Sequence, residues 1–133
     1  MTYELSKHAH DLATALGVAL YSDLDDESYA QANVLSGQWR VDTVPVTDVR
    51  TYYIALHELG HVANPPAGTV SEFPDELRAW LWAVESALVM PDNETRVFMA
   101  CKLAGYRSLR SEFHWRGQPE VNDLYDALVA SLR

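Results

Sequence analysis

Two histidines and a glutamate in the middle of the chain stand at a spacing that can do chemistry. The run His57-Glu58-Leu59-Gly60-His61 places its histidines at i and i+4, one turn apart on the same face of a helix. Their imidazoles can therefore converge on one metal ion. Glu58 is rotated by about 100° from His57, so we expect it beside the ion. There it can take a proton from a water whose pKa zinc lowers towards 7, and pass it to a leaving amine.

The alternative is that this short pattern arises by chance and that its histidines are structural. Three features of the flanking sequence favour a metal site. The motif lies in a strongly helical stretch. Gly60 is a poor helix former, by roughly 1 kcal/mol against alanine, which predicts the close approach of another backbone. Pro65-Pro66 ends the helix just after His61, as the rim of an active site requires.

A catalytic zinc takes three protein ligands and keeps one position open, so a third ligand is required. The metzincin pattern would need glycine at position 64 and histidine at position 67, whereas the chain has Asn64 and Ala67 there. That class is therefore excluded. The other histidines are far away in sequence, and an ordinary surface or core role is favoured for each of them: His8, His10 and His114.

Carboxylates of the following helix are better candidates, namely Asp75, Glu76 and Glu85. At about 100° per residue, Glu76 and Glu85 point to opposite faces, so only one of them can face the metal. Glu85 shares its face with Arg78, a plausible surface neighbour. The Glu76 face carries small side chains that allow close packing on Gly60, and we therefore favour Glu76. The residues along or beside that face are Ala79, Trp80, Ala83 and Ala87. Trp80 and Trp82 are assigned to the core.

The elements that must position these residues follow from hydrophobic periodicity and from start and stop signals. Helices are predicted over 3–16, from a cap at Thr47 or Asp48 to about 64, from Pro74 to about 89, over 93–104, and from Pro119 onward. A strand is predicted at 18–21, an acidic turn at 22–27, and two strands around a glycine turn between 32 and 46. The predicted fold is α+β, a mostly helical single domain over residues 1–133 with a small antiparallel sheet beside the central helix.

Composition excludes several classes of partner. The 133 residues include 19 acidic and 10 basic side chains, for a formal net charge of −9. That balance argues against nucleic acid and against an anionic membrane surface as partners. Cys101 is alone, so no internal disulfide can form. No signal-peptide pattern and no apolar run long enough for a membrane span are visible. We therefore expect a soluble, cytoplasmic protein.

The central motif and the run Glu76-Leu77-Arg78-Ala79-Trp80-Leu81-Trp82-Ala83 together resemble the ImmA/IrrE-like zinc metallopeptidases. Those proteins carry an H-E-hydrophobic-G-H helix and then a helix of the form E-x-x-A-x-x-aromatic-A. Leu88-Val89-Met90-Pro91 is similar to the stretch that ends their second helix, displaced here by two residues. The resemblance covers about residues 52–91. The resemblance is greatest to short members encoded by phages or prophages. It therefore implies that the protein acts in the cytoplasm of a host cell.

The resemblance implies a role for each matching residue. His57, His61 and Glu76 would be the ligands of one zinc ion per chain, and Glu58 would be the general base. It also implies a gluzincin-like, that is zincin-like, fold. Well-known relatives cleave DNA-binding repressors, and many carry a helix-turn-helix segment, for which we find no counterpart here. A repressor substrate is therefore an analogy only.

The expected function is a zinc-dependent endopeptidase acting on a protein or peptide, with a regulatory protein as one candidate substrate. The alternative is a non-catalytic, zinc-stabilised module of the same fold that binds a partner protein. The glutamate at position 58 favours the enzyme, because a structural metal site needs no base. The substrate is expected to add as a strand beside segment 34–46, next to Trp39 and Val41. The donor that stabilises the oxyanion is left open among Tyr52, Tyr53, Tyr106 and His114.

Overall fold

The computed structural model describes residues 2–22, 29–32, 38–66, 72–107 and 118–132. Within them the chain forms five helices and three short strands. The helices are α1 (Thr2–Leu16), α2 (Val49–Ala63), α3 (Phe73–Ser86), α4 (Asn93–Arg107) and α5 (Pro119–Ser131). The strands are β1 (Ala19–Tyr21), β2 (Tyr29–Ala32) and β3 (Trp39–Asp42). The expectation of a mostly helical α+β chain is confirmed, and the single domain over 1–133 stays a prediction.

The three strands form one sheet in the order β1-β3-β2. β1 runs parallel to β3, with Leu20 opposite Val41, while β2 runs antiparallel to β3, with Ala30 opposite the same residue. The expectation of an antiparallel sheet is therefore wrong for the β1–β3 pair, and the sheet is mixed. The reason is topological: β1 and β2 run in opposite directions, and β3 lies between them. Because β3 is antiparallel to β2, it must be parallel to β1.

Two of the expected features of this region fall outside the described residues. They are the strand at Val34-Leu35 with its glycine turn at Ser36-Gly37, and the part of the acidic turn over 23–27. The later expected strand corresponds to β3. The strand β2 lies at the start of the region in which we expected strands. It pairs with the whole of β3, from Tyr29 opposite Asp42 to Ala32 opposite Trp39.

The first helix has the expected bounds to within one residue. Leu5, Ala9 and Ala13 are buried along one face of α1, at the helical spacing seen in the sequence. Gly17 then adopts a φ of +73°, a left-handed conformation that favours glycine, and ends the helix. The chain can therefore turn directly from α1 into β1.

The central helix α2 begins at a reciprocal cap. Asp48 Oδ1 accepts the N–H of Thr51 at 2.8 Å, and Thr51 Oγ1 accepts the N–H of Asp48 at 3.0 Å. Asp48 is thus the cap residue, one of the two that the sequence allowed. From this start α2 runs through the middle of the fold, with α1, α3 and α4 and the strands β2 and β3 packed around it. Nearly all its side chains between Thr51 and His61 are buried.

The third helix ends at Ser86, earlier than the expected end near 89. Two tyrosines of α2 explain the difference. Tyr52 Oη accepts the N–H of Leu88 at 3.0 Å, and Tyr53 Oη donates to the carbonyl of Val89. These contacts satisfy backbone groups that would otherwise need helical partners, and Ala87 is already extended.

The last two helices complete the core against α2 and α3. Asp92 caps α4 as expected, because its Oδ1 accepts the N–H of Thr95 at 2.8 Å. The expected end of α4 at Ala104 is wrong, since the helix continues to Arg107. α5 packs mainly on α3 and buries Val121 and Leu128. In the described part of the chain, no helix combines the length and the apolar character that crossing a membrane requires.

Candidate metal centre

The two histidines of α2 face the interior, one turn apart. The exposed fraction is 9% for His57, 8% for His61 and 9% for Glu58 between them. The two imidazole centroids are 4.7 Å apart with the rings inclined at 70°. The i and i+4 spacing therefore produces the expected pair of neighbouring imidazoles, now inside the protein.

Glu76 of α3 meets both histidines. Its Oε2 lies 2.7 Å from His57 Nε2 and 3.3 Å from His61 Nε2, and the residue is only 4% exposed. One ligand atom from each of the three residues lies within 4.8 Å of the other two. The structure thus brings together the three expected ligands, and this group can hold a metal ion.

The other two carboxylates that the sequence allowed are placed elsewhere. Glu85 is exposed on α3. Asp75 Oδ2 accepts the N–H of Glu72 at 2.9 Å at the start of the same helix, and another of its oxygens lies 3.6 Å from Arg78. Arg78 also lies 3.0 Å from Glu120 of α5. These positions agree with the choice of Glu76.

The donor set suits zinc in its chemistry and in its spacing. Tetrahedral zinc with bonds of about 2.0–2.2 Å to nitrogen and oxygen requires ligand atoms about 3.3–3.5 Å apart. His61 Nε2 and Glu76 Oε2 already stand at 3.3 Å. His57 Nε2 is closer to Glu76, at hydrogen-bond distance. A small outward shift of the His57 imidazole would therefore bring this pair to the same spacing.

The charges at the centre are strongly coupled. Burial alone would lower the pKa of His57, but the hydrogen bonds and negative charges of Glu58 and Glu76 outweigh it and raise that pKa to about 9. Burial alone would raise the pKa of Glu76, but the hydrogen bonds and charges of His57 and His61 hold it well below its usual range. Glu76 is thus an anionic acceptor, as a metal-binding carboxylate must be.

Glu58 lies beside the three ligand atoms and is not one of the group. Its Oε1 is 3.3 Å from Nδ1 of His57, the ring nitrogen that faces away from Glu76. A carboxylate in this place would be within reach of groups near an ion bound by the other three residues. The two histidines thus belong to the group that can hold an ion and Glu58 does not, while the role of Glu58 as a base stays a prediction.

Close contact between α2 and α3 makes this arrangement possible. A Cβ atom on Gly60 would lie 2.5 Å from the backbone oxygen of Ala79 and 2.9 Å from its Cα. Only a residue without a side chain allows such an approach. Ala79 and Ala83 are fully buried on the face of α3 that also carries Glu76. The small-residue face predicted from the sequence is therefore the one that brings Glu76 to the histidines.

Trp80 is the residue at this centre whose role the sequence did not reveal. Its ring stacks on the imidazole of His57, with centroids 4.1 Å apart and an angle of 16° between the planes. We assigned Trp80 to the core, and it is indeed buried. The available signal was its place one turn after Glu76, because residues at i and i+4 share a helix face.

Two of the four candidate oxyanion donors, Tyr52 and Tyr53, already form hydrogen bonds through their hydroxyl groups. Tyr52 Oη bonds the N–H of Leu88 and lies 2.6 Å from His8 Nδ1, and Tyr53 Oη bonds the carbonyl of Val89. Both hydroxyls therefore hold α2 to its neighbours. The other two candidates, the Tyr106 side chain and His114, lie outside the described part.

The strand expected to lie beside the substrate is not an edge. Trp39 and Val41 belong to β3, which is paired on one side with β1 and on the other with β2. Val41 is also fully buried. The expectation that a peptide would add next to these residues is therefore wrong, since their backbone partners are taken by the two neighbouring strands.

Comparison with known proteins identifies no relative: no family model, no curated protein and no solved structure matches the chain.

Proposed function

We propose that this protein is a zinc-dependent endopeptidase that hydrolyses peptide bonds of a protein substrate. The observation that carries the proposal is the convergence of His57 Nε2, His61 Nε2 and Glu76 Oε2 within one buried site. Two neutral nitrogens and one carboxylate are the ligand set of many catalytic zinc sites, which leave a fourth position open. The fit of these residues to zinc rests on this donor chemistry and spacing.

In the proposed reaction His57, His61 and Glu76 would hold one zinc ion per chain. Zinc held in this way polarises a carbonyl and lowers the pKa of a water towards 7. Glu58 then does the proton chemistry: it accepts a proton from the attacking water and delivers one to the nitrogen of the leaving amine. One amide bond is exchanged for a carboxylic acid and an amine, and Glu58 returns to its starting state.

Membership of the ImmA/IrrE-like metallopeptidases is part of this proposal. Its support is the resemblance over residues 52–91 and the way in which the two similar stretches, on α2 and α3, meet at one site. A regulatory protein is the substrate class that this membership suggests. A cytoplasmic location is proposed with it, and the free, exposed thiol of Cys101 suits a reducing compartment.

The edge strand β2 is the place where we propose that an extended peptide binds. In the described structure β2 is an outer strand, with β3 as its neighbour, and it packs on α2. A peptide added there would form backbone hydrogen bonds along the sheet beside the helix that carries the two histidines. Hydrogen exchange tests this proposal: substrate added to the Glu58→Gln protein should slow exchange at Tyr29–Ala32 but not at Ala19–Tyr21.

A specific observation supports the second candidate, a zinc-stabilised module that binds a partner protein without catalysis. Glu58 approaches His57 Nδ1, where a carboxylate can orient a metal-binding imidazole. The three candidate ligands are also at most 9% exposed, as in a closed structural site. In this case Glu58 would support the metal site without acting as a base.

The Glu58→Gln substitution distinguishes the two candidates, because it retains the shape of the side chain and removes its basicity. For a peptidase, cleavage of a protein substrate should fall by at least about 10²–10⁴, the usual contribution of general acid–base catalysis. Zinc content and fold should hardly change. Cleavage is measured with wild type and variant at equal zinc loading, and His57→Ala serves as the zinc-free control. An undiminished biological effect of the Glu58→Gln protein would rule out proteolysis and favour the binding module.

A further inference from the structure

Trp80 provides a flat, buried surface directly against one proposed zinc ligand. The residue is 2% exposed, and its indole lies nearly parallel to the imidazole of His57 at a centroid distance of 4.1 Å. It stands one turn after Glu76 on α3. A single face of this helix therefore supplies both the carboxylate ligand and the ring that covers the first histidine.

The indole is itself held in place. Phe98 of α4 meets it edge-on, with centroids 6.3 Å apart and an angle of 74°. Trp80 also belongs to the main hydrophobic core, together with Leu77 and Ala83 of its own helix. A ring packed in this way has little freedom to rotate. It therefore restrains the orientation of the His57 imidazole that stacks on it.

The indole N–H makes no hydrogen bond in the described structure, so the contact that distinguishes Trp80 is the stacking of its ring on His57. Nε1 is buried and has no hydrogen-bond partner in the described structure. An unpaired buried donor is unfavourable. Phenylalanine would fill most of the same interior space without such a donor, so filling the core does not by itself explain a tryptophan. An indole covers more of a neighbouring imidazole than a phenyl ring does.

His57 has a particular need for such support. A metal-binding histidine is usually oriented by a strong hydrogen bond at its second ring nitrogen. Here that nitrogen, Nδ1, stands 3.3 Å from Glu58 Oε1, beyond the usual range of about 2.7–3.2 Å. The contact with Glu58 is therefore long, and the short hydrogen bond of Nε2 to Glu76, at 2.7 Å, must lengthen when an ion binds between them. The stacked indole is a further group that restrains the plane of the ring, and ion binding leaves that contact in place.

We propose that Trp80 is a positioning residue for zinc binding. By stacking on His57 it holds the imidazole plane so that Nε2 points to Glu76 before the ion arrives. This inference rests on the proposed zinc site and adds a residue to it. Its physical basis is pre-organisation: a ligand that is already oriented loses less freedom when it binds the metal.

The test compares zinc affinity in three variants, measured by competition with a chelator. Trp80→Leu removes the flat ring and should weaken zinc binding by about 10–100-fold, the usual effect of losing a group that supports a ligand. Trp80→Phe retains a smaller ring and should lie between this variant and the wild type. Trp82→Leu is the matched control, because it removes a half-buried tryptophan of the same helix. It should stay within about threefold of the wild type.

Two spectroscopic measurements separate positioning from general loosening of the core. The visible bands of bound Co²⁺ report ligand geometry and should change in Trp80→Leu but not in Trp82→Leu. Zinc should also change the tryptophan emission of the wild type and of Trp82→Leu, and this change should be lost in Trp80→Phe, because Trp80 touches a ligand directly. If Trp80→Leu does not fold, the affinity and emission of Trp80→Phe decide the question.

The possible failures are distinguishable. Equal losses of zinc affinity in the Trp80 and Trp82 variants, or a zinc-induced emission change that persists in Trp80→Phe, would overturn the positioning role and leave the zinc site standing. A wild-type protein that binds no zinc would overturn the proposed function, and this inference with it.

Discussion

Gly60 of α2 lies directly against the backbone of Ala79 on α3, without room between them for a methyl group. The contact lies next to the candidate metal ligands: His61 follows Gly60, and Glu76 lies one turn before Ala79. The separation of the helices at this point therefore decides how far Glu76 Oε2 is from the two imidazoles.

Gly60→Ala should weaken both the fold and the metal site. The new methyl group must move α3, and overpacking of this kind costs typically about 1–3 kcal/mol. The higher helix propensity of alanine stabilises the helix by only roughly 1 kcal/mol, which does not offset that cost. Because α3 carries Glu76, we expect zinc affinity to fall by at least about tenfold. Denaturant unfolding and chelator competition measure the two effects. A variant as stable as the wild type with unchanged affinity would contradict the described contact.

The arrangement of the candidate metal site was largely predictable because its geometry is local to two helices. Helical periodicity places His57 and His61 on one face, and it puts Glu76 and Glu85 on opposite faces. The packing requirement of Gly60 then selects the face with Glu76, as the structure shows. Each step needs only spacing along one helix and the size of a few side chains.

The parts that were not predicted depend on contacts between distant segments. The parallel pairing of β1 with β3 follows from the position of β3 between β1 and β2, which run in opposite directions, and a strand of three residues carries no local signal of it. The early end of α3 follows from hydrogen bonds to two tyrosines of α2. The stacking of Trp80 on His57 depends on the distance between two helices, which hydrophobic periodicity does not encode.

Replacing the proposed ligands should remove the metal. His57→Ala and His61→Ala should each abolish stoichiometric zinc, because two ligands hold the ion far less well than three. Glu76→Gln replaces an anionic oxygen by a neutral amide and should also weaken zinc retention strongly. Metal analysis of the purified proteins measures the content. Glu85→Gln, an exposed carboxylate on the same helix, is the control and should retain full zinc. Full zinc content in both histidine variants would show that the ion binds elsewhere.

Tyr52→Phe should reduce stability without changing the metal site. Its hydroxyl joins three segments, through the N–H of Leu88 at 3.0 Å and His8 Nδ1 at 2.6 Å. Removing it deletes two hydrogen bonds whose partners are not fully buried, each with a net contribution of about 0.5–1.5 kcal/mol. Denaturant unfolding measures this loss, and zinc affinity should remain within about threefold of the wild type. If the variant instead keeps full stability and loses peptidase activity by about 10²–10³, Tyr52 is an oxyanion donor after all.

The metal-free protein should be most stable in mildly acidic solution. His57 has its pKa raised from 6.5 to about 9, so its contribution is complete below pH 6.5 and is lost as the pH rises through about 9. Glu76 has its pKa lowered from 4.5, so its contribution is complete above pH 4.5 and is lost as the pH falls. Both contributions are therefore complete between pH 4.5 and 6.5. Thermal unfolding measured from below pH 4.5 to above pH 9 tests this expectation, and Glu76→Gln should flatten the alkaline decline.

Zinc binding should release a proton from His57. At pH 7 the metal-free imidazole is protonated, because its pKa of about 9 lies above the pH, and only the neutral ring can bind a metal. Apparent zinc affinity should therefore rise by about tenfold per pH unit from pH 7 and level off above about 9. Calorimetry in buffers of different ionisation enthalpy counts the released protons, and about one from this residue is expected at pH 7. Affinity that is flat over this range would mean that His57 is already neutral in the metal-free protein, and that its contacts with Glu58 and Glu76 are weaker than the geometry indicates.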